Sequence, residues 1–355
     1  MSHATGITAE KGAVIAFEGP TSSAGAPTND FDIRAPGTAP ALTPPPKAHD
    51  GFRHEAFLWN GEQEFLSGTV PFIRDGLRAS QPVLVAVTQA HIELLRAALG
   101  AEAHLVEFVD MAELGRNPAR IIPALRAFME QHAADGQPVR GIGEPIWAGR
   151  RPAEVAECQF QEALLNLTVD PGTPLWLLCS YDVQALAPDV VTEAHRSHPA
   201  LVERDTYRGS TLYGGAHHAG TVFETDLPPA DAPAWCRRFH ARDLVAVRED
   251  VIGHALGAGV PTERSADLAL AVHEVATNSL VHGSGSGELR IWHEAGALVC
   301  EVHDEGRISD PMRGRVTPAW ENEGGRGLWM ANQLCDLVQV RSGAAGTTIR
   351  IHTWL

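Results

Sequence analysis

The sequence predicts an α/β protein of two domains, an N-terminal α/β domain with a mostly parallel sheet followed by a C-terminal α+β sandwich. Three observations predict it. A length of 355 residues exceeds one compact domain at about 150 residues each. Apolar residues at 44% and charged residues at 20% are globular values, enough for sizeable cores. The hydrophobic pattern also changes along the chain, from short apolar runs separated by amphipathic stretches to alternating strands joined by tight turns.

Residues 1–50 hold seven prolines, including Pro44, Pro45 and Pro46, and five glycines. With no period of 2 or 3.6, they are expected to form a disordered leader. From Arg53 the texture alternates. His54 to Trp59 reads as a strand, Glu62 to Leu77 as a helix, Pro82 to Thr88 as a buried strand and Gln89 to Leu99 as a helix. The alternation continues through Leu105 to Val109, Pro118 to Ala133, Val139 to Gly143, Pro152 to Leu167, Leu175 to Ser180 and Ala185 to Arg196. Strands separated by helices of that length imply βαβ units, placing the first domain at 51–198. Residues 199–232, rich in Gly, Pro, His and Thr, are expected to be a connector.

The second domain is expected over 233–355. Ala234 to Leu256 has helical spacing, and Thr262 to His282 is a longer helix opening after Pro261. Glu288 to His293 and Leu298 to His303 alternate as strands joined by a hairpin-like turn. The helix Gly327 to Cys335 and the strands Leu337 to Val340 and Thr347 to Trp354 complete a sandwich of helices on an antiparallel sheet.

Charge and cysteine usage narrow the function classes. With 28 basic and 44 acidic side chains the net charge is -16, which argues against nucleic acid or an anionic membrane as a direct partner. Five cysteines at wide spacing, with no C-x-x-C, give neither a disulfide framework nor a zinc ribbon. No basic and apolar leader and no run of 18 apolar residues occurs. The expectation is a cytoplasmic protein.

Four short motifs carry the chemistry. On the helix Thr262 to His282, Glu274, Asn278 and His282 recur at i, i+4 and i+8 and share one face. A carboxamide beside a carboxylate suits Mg²⁺, with Glu274 able to accept a proton; a solvent-facing polar stripe is the alternative. Asp304-Glu305-Gly306 ends a strand, where a carboxylate can accept from an exocyclic amine such as that of adenine and Gly306 permits close approach. Alone, it reads as a turn. Gly324-Gly325-Arg326-Gly327-Leu328 opens a helix whose first N–H groups can cradle phosphates. Gly346-Thr347 begins the last strand, where the Thr347 hydroxyl could bond a purine directly or through water, or simply enter a hairpin. Arg307, Arg313, Arg315 and Arg326 could neutralise phosphate charge, with a solvated loop face as the alternative for the first three. His273-Glu274 starts no zinc motif, because Thr277 stands where H-E-x-x-H needs its second His.

In this order the motifs resemble the GHKL, or Bergerat, ATP-binding fold. The best match is to the anti-sigma-factor serine/threonine kinases, whose N box likewise reads Glu-x-x-x-Asn-x-x-x-His-Gly, and the resemblance spans 233–355. It implies ATP and Mg²⁺ as cofactors, with Glu274 the catalytic base, Asn278 the Mg²⁺ ligand and Asp304 on adenine. Gly325, Arg326, Gly327 and Leu328 would close over the phosphates, and His282, Gly306 and Thr347 complete the expected cofactor site. Many relatives read Asp-x-Gly-x-Gly; here Ile308 takes the fifth position, which bears on lid mobility. The resemblance further implies a kinase that binds a sigma factor, phosphorylates Ser or Thr of an anti-anti-sigma (STAS-type) partner and forms a homodimer. Two alternatives stand beside it: a non-catalytic ATP-binding partner-switch module, and the ATPase half of a split sensor histidine kinase. Residues 199–232 have no heptad hairpin that could carry a phosphoacceptor His on this chain.

The first domain resembles the MEDS sensory domain through His54-Glu-Ala-Phe-Leu-Trp59, Gly141-Ile-Gly-Glu-Pro145 and Leu178-Cys-Ser-Tyr-Asp182, which implies a RecA-like architecture. No G-x-x-x-x-G-K-[ST] follows its strands and it holds no lysine, so nucleotide hydrolysis is not expected there. His54, Glu144, Cys179 and Tyr181 fall at or near strand ends, where open α/β sheets bind ligands. They are the candidates for a sensor pocket taking an unknown small molecule or a metal, against ordinary core and loop roles. Cys158, on a helix, is expected to pack in the core.

Overall fold

Runs of four to eight residues, apolar above all in the central strands, form the first sheet in a computed structural model that describes residues 51–132, 136–204, 206–230, 232–318 and 326–355. The expected leader 1–50 lies outside the described residues. The first part runs β1 (Arg53–Trp59), α1 (Gly61–Arg78), β2 (Val83–Val87), α2 (Gln89–Leu99), β3 (Glu107–Asp110), α3 (Met111–Leu114), α4 (Ile121–His132) and β4 (Val139–Gly143). It continues with α5 (Pro152–Thr168), β5 (Leu175–Asp182), α6 (Pro188–Ser197), β6 (Ala200–Glu203), β7 (Thr206–Gly209) and α7 (Gly215–Glu224).

These strands make one sheet in the order β3-β2-β4-β5-β1-β6-β7, with every neighbour parallel except the antiparallel pair β6–β7. The expected mostly parallel sheet is therefore present. Helices cover both faces, which is why β2, β4 and β5 read as near-continuous apolar runs and not as alternating ones. Phe65, Ile73 and Leu95 pack with Phe57 and Val85 on one side, and Leu125, Phe160 and Leu164 with Leu84 and Leu177 on the other.

Residues 199–232 are more than the expected connector. Ala200 and Leu201 pair with β1 and extend the first sheet, and β7 folds back on β6. In α7, Ala219 and Phe223 are buried in the core, with the Phe223 ring stacked 6.1 Å from Phe160. Turn-forming residues dominate the composition of this segment, but its few apolar side chains suffice to dock it.

The second part comprises β8 (Trp235–Phe239), α8 (Leu244–Gly257), α9 (Thr262–His282), β9 (Gly287–Glu294), β10 (Ala297–Asp304), α10 (Arg326–Leu334), β11 (Leu337–Gly343) and β12 (Gly346–Trp354). The sheet is fully antiparallel in the order β11-β12-β10-β9-β8. Its first element corrects the expectation of a helix from Ala234: Trp235 pairs with Ile291 and Phe239 with Gly287. Alternating burial across Trp235–Phe239, ending at the fully buried Phe239, is strand periodicity that the apolar content alone conceals. Helices α8 to α10 lie on one face of this sheet, where Val251, Leu268, Val272 and Val275 meet Leu289, Val302, Val338 and Ile351. No helix among the described residues is long and apolar enough to cross a membrane.

Candidate functional site

Helix α9 starts after the extended Pro261, whose carbonyl accepts from the Ser265 N–H at 2.8 Å and its hydroxyl at 3.0 Å. Leu268, Val272, Val275 and Ser279 turn inward at helical spacing. That leaves Glu274 and Asn278 half-buried and His282 exposed along the next face. Asn278 and His282 open onto a cavity of about 370 Å³ whose walls also include Asp304, Gly306, Leu328 and Thr347. Six residues of the expected cofactor site thus line one space, which falls within the size range of small-molecule sites. Ile308 lines it too, with its N–H held by the Ser342 hydroxyl at 2.9 Å.

Asp304, at the end of β10, is buried and accepts the Gly306 N–H on Oδ1 at 2.7 Å. An ionised carboxylate has about four acceptor positions, so capacity for an exocyclic amine remains. The backbone around it has no room for side chains. A Cβ on Gly306 would meet Gly283 Cα at 2.7 Å, and one on Gly283 would meet Asp304 Oδ1 at 2.6 Å. The end of α9 and the turn after β10 therefore close on each other around this carboxylate. Thr347 donates its hydroxyl to the Gly306 carbonyl at 2.9 Å and shares a 2.8 Å hydrogen bond with Ser342. It braces the turn, so a purine contact through this hydroxyl would use its remaining acceptor capacity.

Glu274 does not line the cavity. It lies under the start of α10, where a Cβ on Gly327 would fall 2.8 Å from Glu274 Oε2 and 3.5 Å from Asn278 Nδ2. Only glycine lets the N-terminus of α10 approach the polar face of α9 this closely. Arg326 begins α10, whereas Gly324 and Gly325 lie outside the described residues.

The four candidates in the first part separate into two places. Cys179 Sγ is 3.4 Å from His54 Nε2, and the Tyr181 hydroxyl is 3.4 Å from Glu162 Oε2, which also faces His54 Nε2 at 3.3 Å. Burial, reinforced by the Glu162 carboxylate, pushes the Cys179 and Tyr181 pKa values well up. Glu144 is elsewhere. It accepts from the Thr88 N–H at 2.9 Å and from His91 Nδ1 at 2.8 Å. Burial opposes the charged form of His91, but Glu144 outweighs it and raises the pKa. Glu162 on α5 and His198 after α6 were not legible as partners of His54, because nothing in their spacing brings residues over a hundred positions apart together. Cys158 is buried in the core, its thiol pushed up to about 12 by burial.

Arg315 overturns the reading of a solvated loop face. It is buried against α5, bonded to Glu157 and, at 2.8 Å, to Gln161 Oε1. Arg341 of β11 reaches the same carboxylate at 3.0 Å, and both guanidinium groups lie over Phe160, at 5.1 and 4.8 Å from its ring centre. Burial alone would raise the Glu157 pKa; Arg341 and Arg315 outweigh it and hold it below its ordinary value. Of the others, Arg307 pairs with Glu224 at 2.8 Å on the surface and Arg313 is exposed at the cavity wall. A second contact grips α10: Asn117 Nδ2 donates to Asn332 Oδ1 at 3.1 Å, and Arg120 Nη2 to the Gln333 carbonyl at 2.6 Å.

Comparison with known proteins assigns both parts. The family model for the MEDS domain, described as "MEthanogen/methylotroph, DcmR Sensory domain", matches residues 53–199. The model for the "Histidine kinase-like ATPase domain" matches residues 239–353. No curated protein matches the chain. Among solved structures, it is similar to the RsbU and RsbW domains of a Mycobacterium tuberculosis protein at 21% identity and a TM-score of 0.26. That match covers 35% of this chain and 33% of the other, so the chain spans about a third of that structure's length.

Proposed function

From a chain that joins a MEDS sensory domain to a GHKL-type ATPase domain, we propose a signalling regulator in which the sensor controls an ATP- and Mg²⁺-dependent anti-sigma kinase. The kinase would bind a sigma factor and phosphorylate a Ser or Thr of an anti-anti-sigma (STAS-type) partner. The observation that carries this reading is the single cavity lined by Asn278, His282, Asp304, Gly306, Leu328 and Thr347, with Glu274 beside it under the start of α10.

The residues fit such a cofactor. The buried Asp304 would accept from the adenine amine, in a turn too crowded for any side chain at Gly306. Asn278 would hold Mg²⁺, which supplies neutralisation of phosphate charge. Glu274 would accept the proton of a Ser or Thr hydroxyl. Arg313 at the wall adds a positive charge facing the phosphates.

Control by the sensor has a physical route. The loop after β10 is tied through Arg315 to α5, and α10 is tied through Asn332 and Gln333 to the segment Asn117–Arg120. A shift of α5 would be passed through these contacts to the loop beside the cavity.

Glu274→Gln keeps size and removes the base. It is expected to lower phosphate transfer to the partner about 10²- to 10⁴-fold while leaving ATP affinity unchanged. Acid-stable phosphate on the partner marks a Ser or Thr product. Signalling output unchanged in this variant would favour the non-catalytic module, and an acid-labile phosphate the split histidine kinase.

A further inference from the structure

Four donor atoms of different chemistry converge in the first domain. They are His54 Nε2 from β1, Glu162 Oε2 from α5, Cys179 Sγ from β5 and a ring nitrogen of His198 just after α6. All four residues are buried, and their donor atoms lie within 4.8 Å of one another. His198 Nε2 approaches Glu162 Oε2 to 3.0 Å yet makes no hydrogen bond of acceptable geometry with any described residue.

The outer contacts explain why. Asn166 Nδ2 donates to the Ser197 carbonyl at 2.7 Å, which orients its Oδ1 as the acceptor for His54 Nδ1 at 3.1 Å. His198 Nδ1 donates to the Ala194 carbonyl at 2.8 Å. With both Nδ1 atoms committed as donors, both Nε2 atoms of the neutral rings carry lone pairs. The Cys179 thiol can serve the lone pair of His54 Nε2 and the Tyr181 hydroxyl serves Glu162 Oε2, but the lone pair of His198 Nε2 faces that same carboxylate oxygen with no donor between them. A ring nitrogen fixed by an outer acceptor, with its second nitrogen aimed inward, is the usual support of a metal-bound histidine.

We propose that His54, Glu162, Cys179 and His198 form a tetrahedral Zn²⁺ site in the first domain. The spacing suits this ion. Ligands at about 2.1 Å from a tetrahedral centre lie roughly 3.4 Å apart, against observed separations of 3.0, 3.3 and 3.4 Å. The donor set of one thiolate, two imidazoles and one carboxylate is borderline-soft, which favours Zn²⁺ over Mg²⁺ or Ca²⁺. Charge balances too: the carboxylate and thiolate cancel the two positive charges of the ion, leaving a neutral centre where burial penalises net charge. Binding deprotonates the thiol and releases its proton to solvent. With four protein ligands the centre is closed, joining β1, α5, β5 and the end of α6.

The test uses the full-length protein. Metal analysis after exhaustive dialysis should find one zinc per chain, and His198→Ala and Cys179→Ser should each lose it, whereas Asp304→Asn in the other domain should retain it. Exchange of the wild-type protein into Co²⁺ needs no variant: a tetrahedral thiolate site gives intense visible bands and a sulfur-to-cobalt charge-transfer band. Folded wild-type protein with neither zinc nor that spectrum would overturn the proposal, leaving a buried histidine–glutamate pair that shares a proton. Stoichiometric zinc surviving in Cys179→Ser would place the metal elsewhere and overturn it equally.

Discussion

The open cavity of the second part and the buried charges along α5 differ in access. The space around Asn278, Asp304 and Thr347 is an open cavity of about 370 Å³ with exposed residues such as His282 and Arg313 on its wall. The groups around Glu157 and Glu162 are sealed, and both carboxylates are buried at 2% exposure or less. An open site can trade water for a ligand, so changes there should be read as altered affinity. A sealed charge has no water to fall back on, so changes there should be read as altered stability. Both carboxylates sit on α5, five residues apart, which makes that helix the shared wall of the buried cluster and the contact with the ATPase domain.

The sharpest way to break this distinction is at Glu157. Glu157→Gln leaves Arg315 and Arg341 buried without a counter-charge, and about 3–5 kcal/mol of stability should be lost, measured by urea unfolding of the full chain. A loss under 1 kcal/mol would mean that the contact opens readily to water. At the open site, Asp304→Asn should weaken ATP binding by about 30-fold, the worth of a hydrogen bond to a charged group, with the unfolding midpoint nearly unchanged. Calorimetric titration checks the first part and thermal melting the second. Equal losses of affinity and stability would erase the distinction between the two regions.

Close to neutrality the smallest effect concerns pH. His352 is buried in β12, its Nε2 3.0 Å from Gln339 Oε1, and burial followed by the nearby Arg350 lowers its pKa to about 3 from 6.5. The unfolded chain therefore binds a proton between these values that the folded protein refuses. This contribution is intact above pH 6.5 and declines as pH falls through that window, by at most about 1.4 kcal/mol per pH unit. His352→Gln should flatten the acid limb of the stability profile. An unchanged limb would show that this histidine is solvated.

How far the sequence was legible follows from the range of the interactions. The motifs around the open cavity were readable because Glu274, Asn278 and His282 are set by helical period, and Asp304 and Thr347 by the ends of the paired strands β10 and β12. The strand β8 was not, because Trp235–Phe239 is too short for apolar content to separate strand from helix. Only its pairing with β9 decides. Gln339 and Arg341 show the same limit on β11. They alternate with the apolar Val338 and Val340 and yet are buried, with Arg341 bonded to Glu157 and Gln339 reaching the Ala153 carbonyl of α5 at 3.5 Å.

By itself the sequence determined the two classes of sheet, the helical face with Glu274, Asn278 and His282, and the order of the short motifs. Each of these is encoded by periodicity or turn chemistry within about twenty residues. Tertiary structure alone decided that 199–232 docks as strands and a helix, that Arg315 leaves the solvent for Glu157, and that His54, Glu162, Cys179 and His198 meet. Those outcomes depend on which buried charge faces which, and that is fixed only when distant elements pack and exclude water.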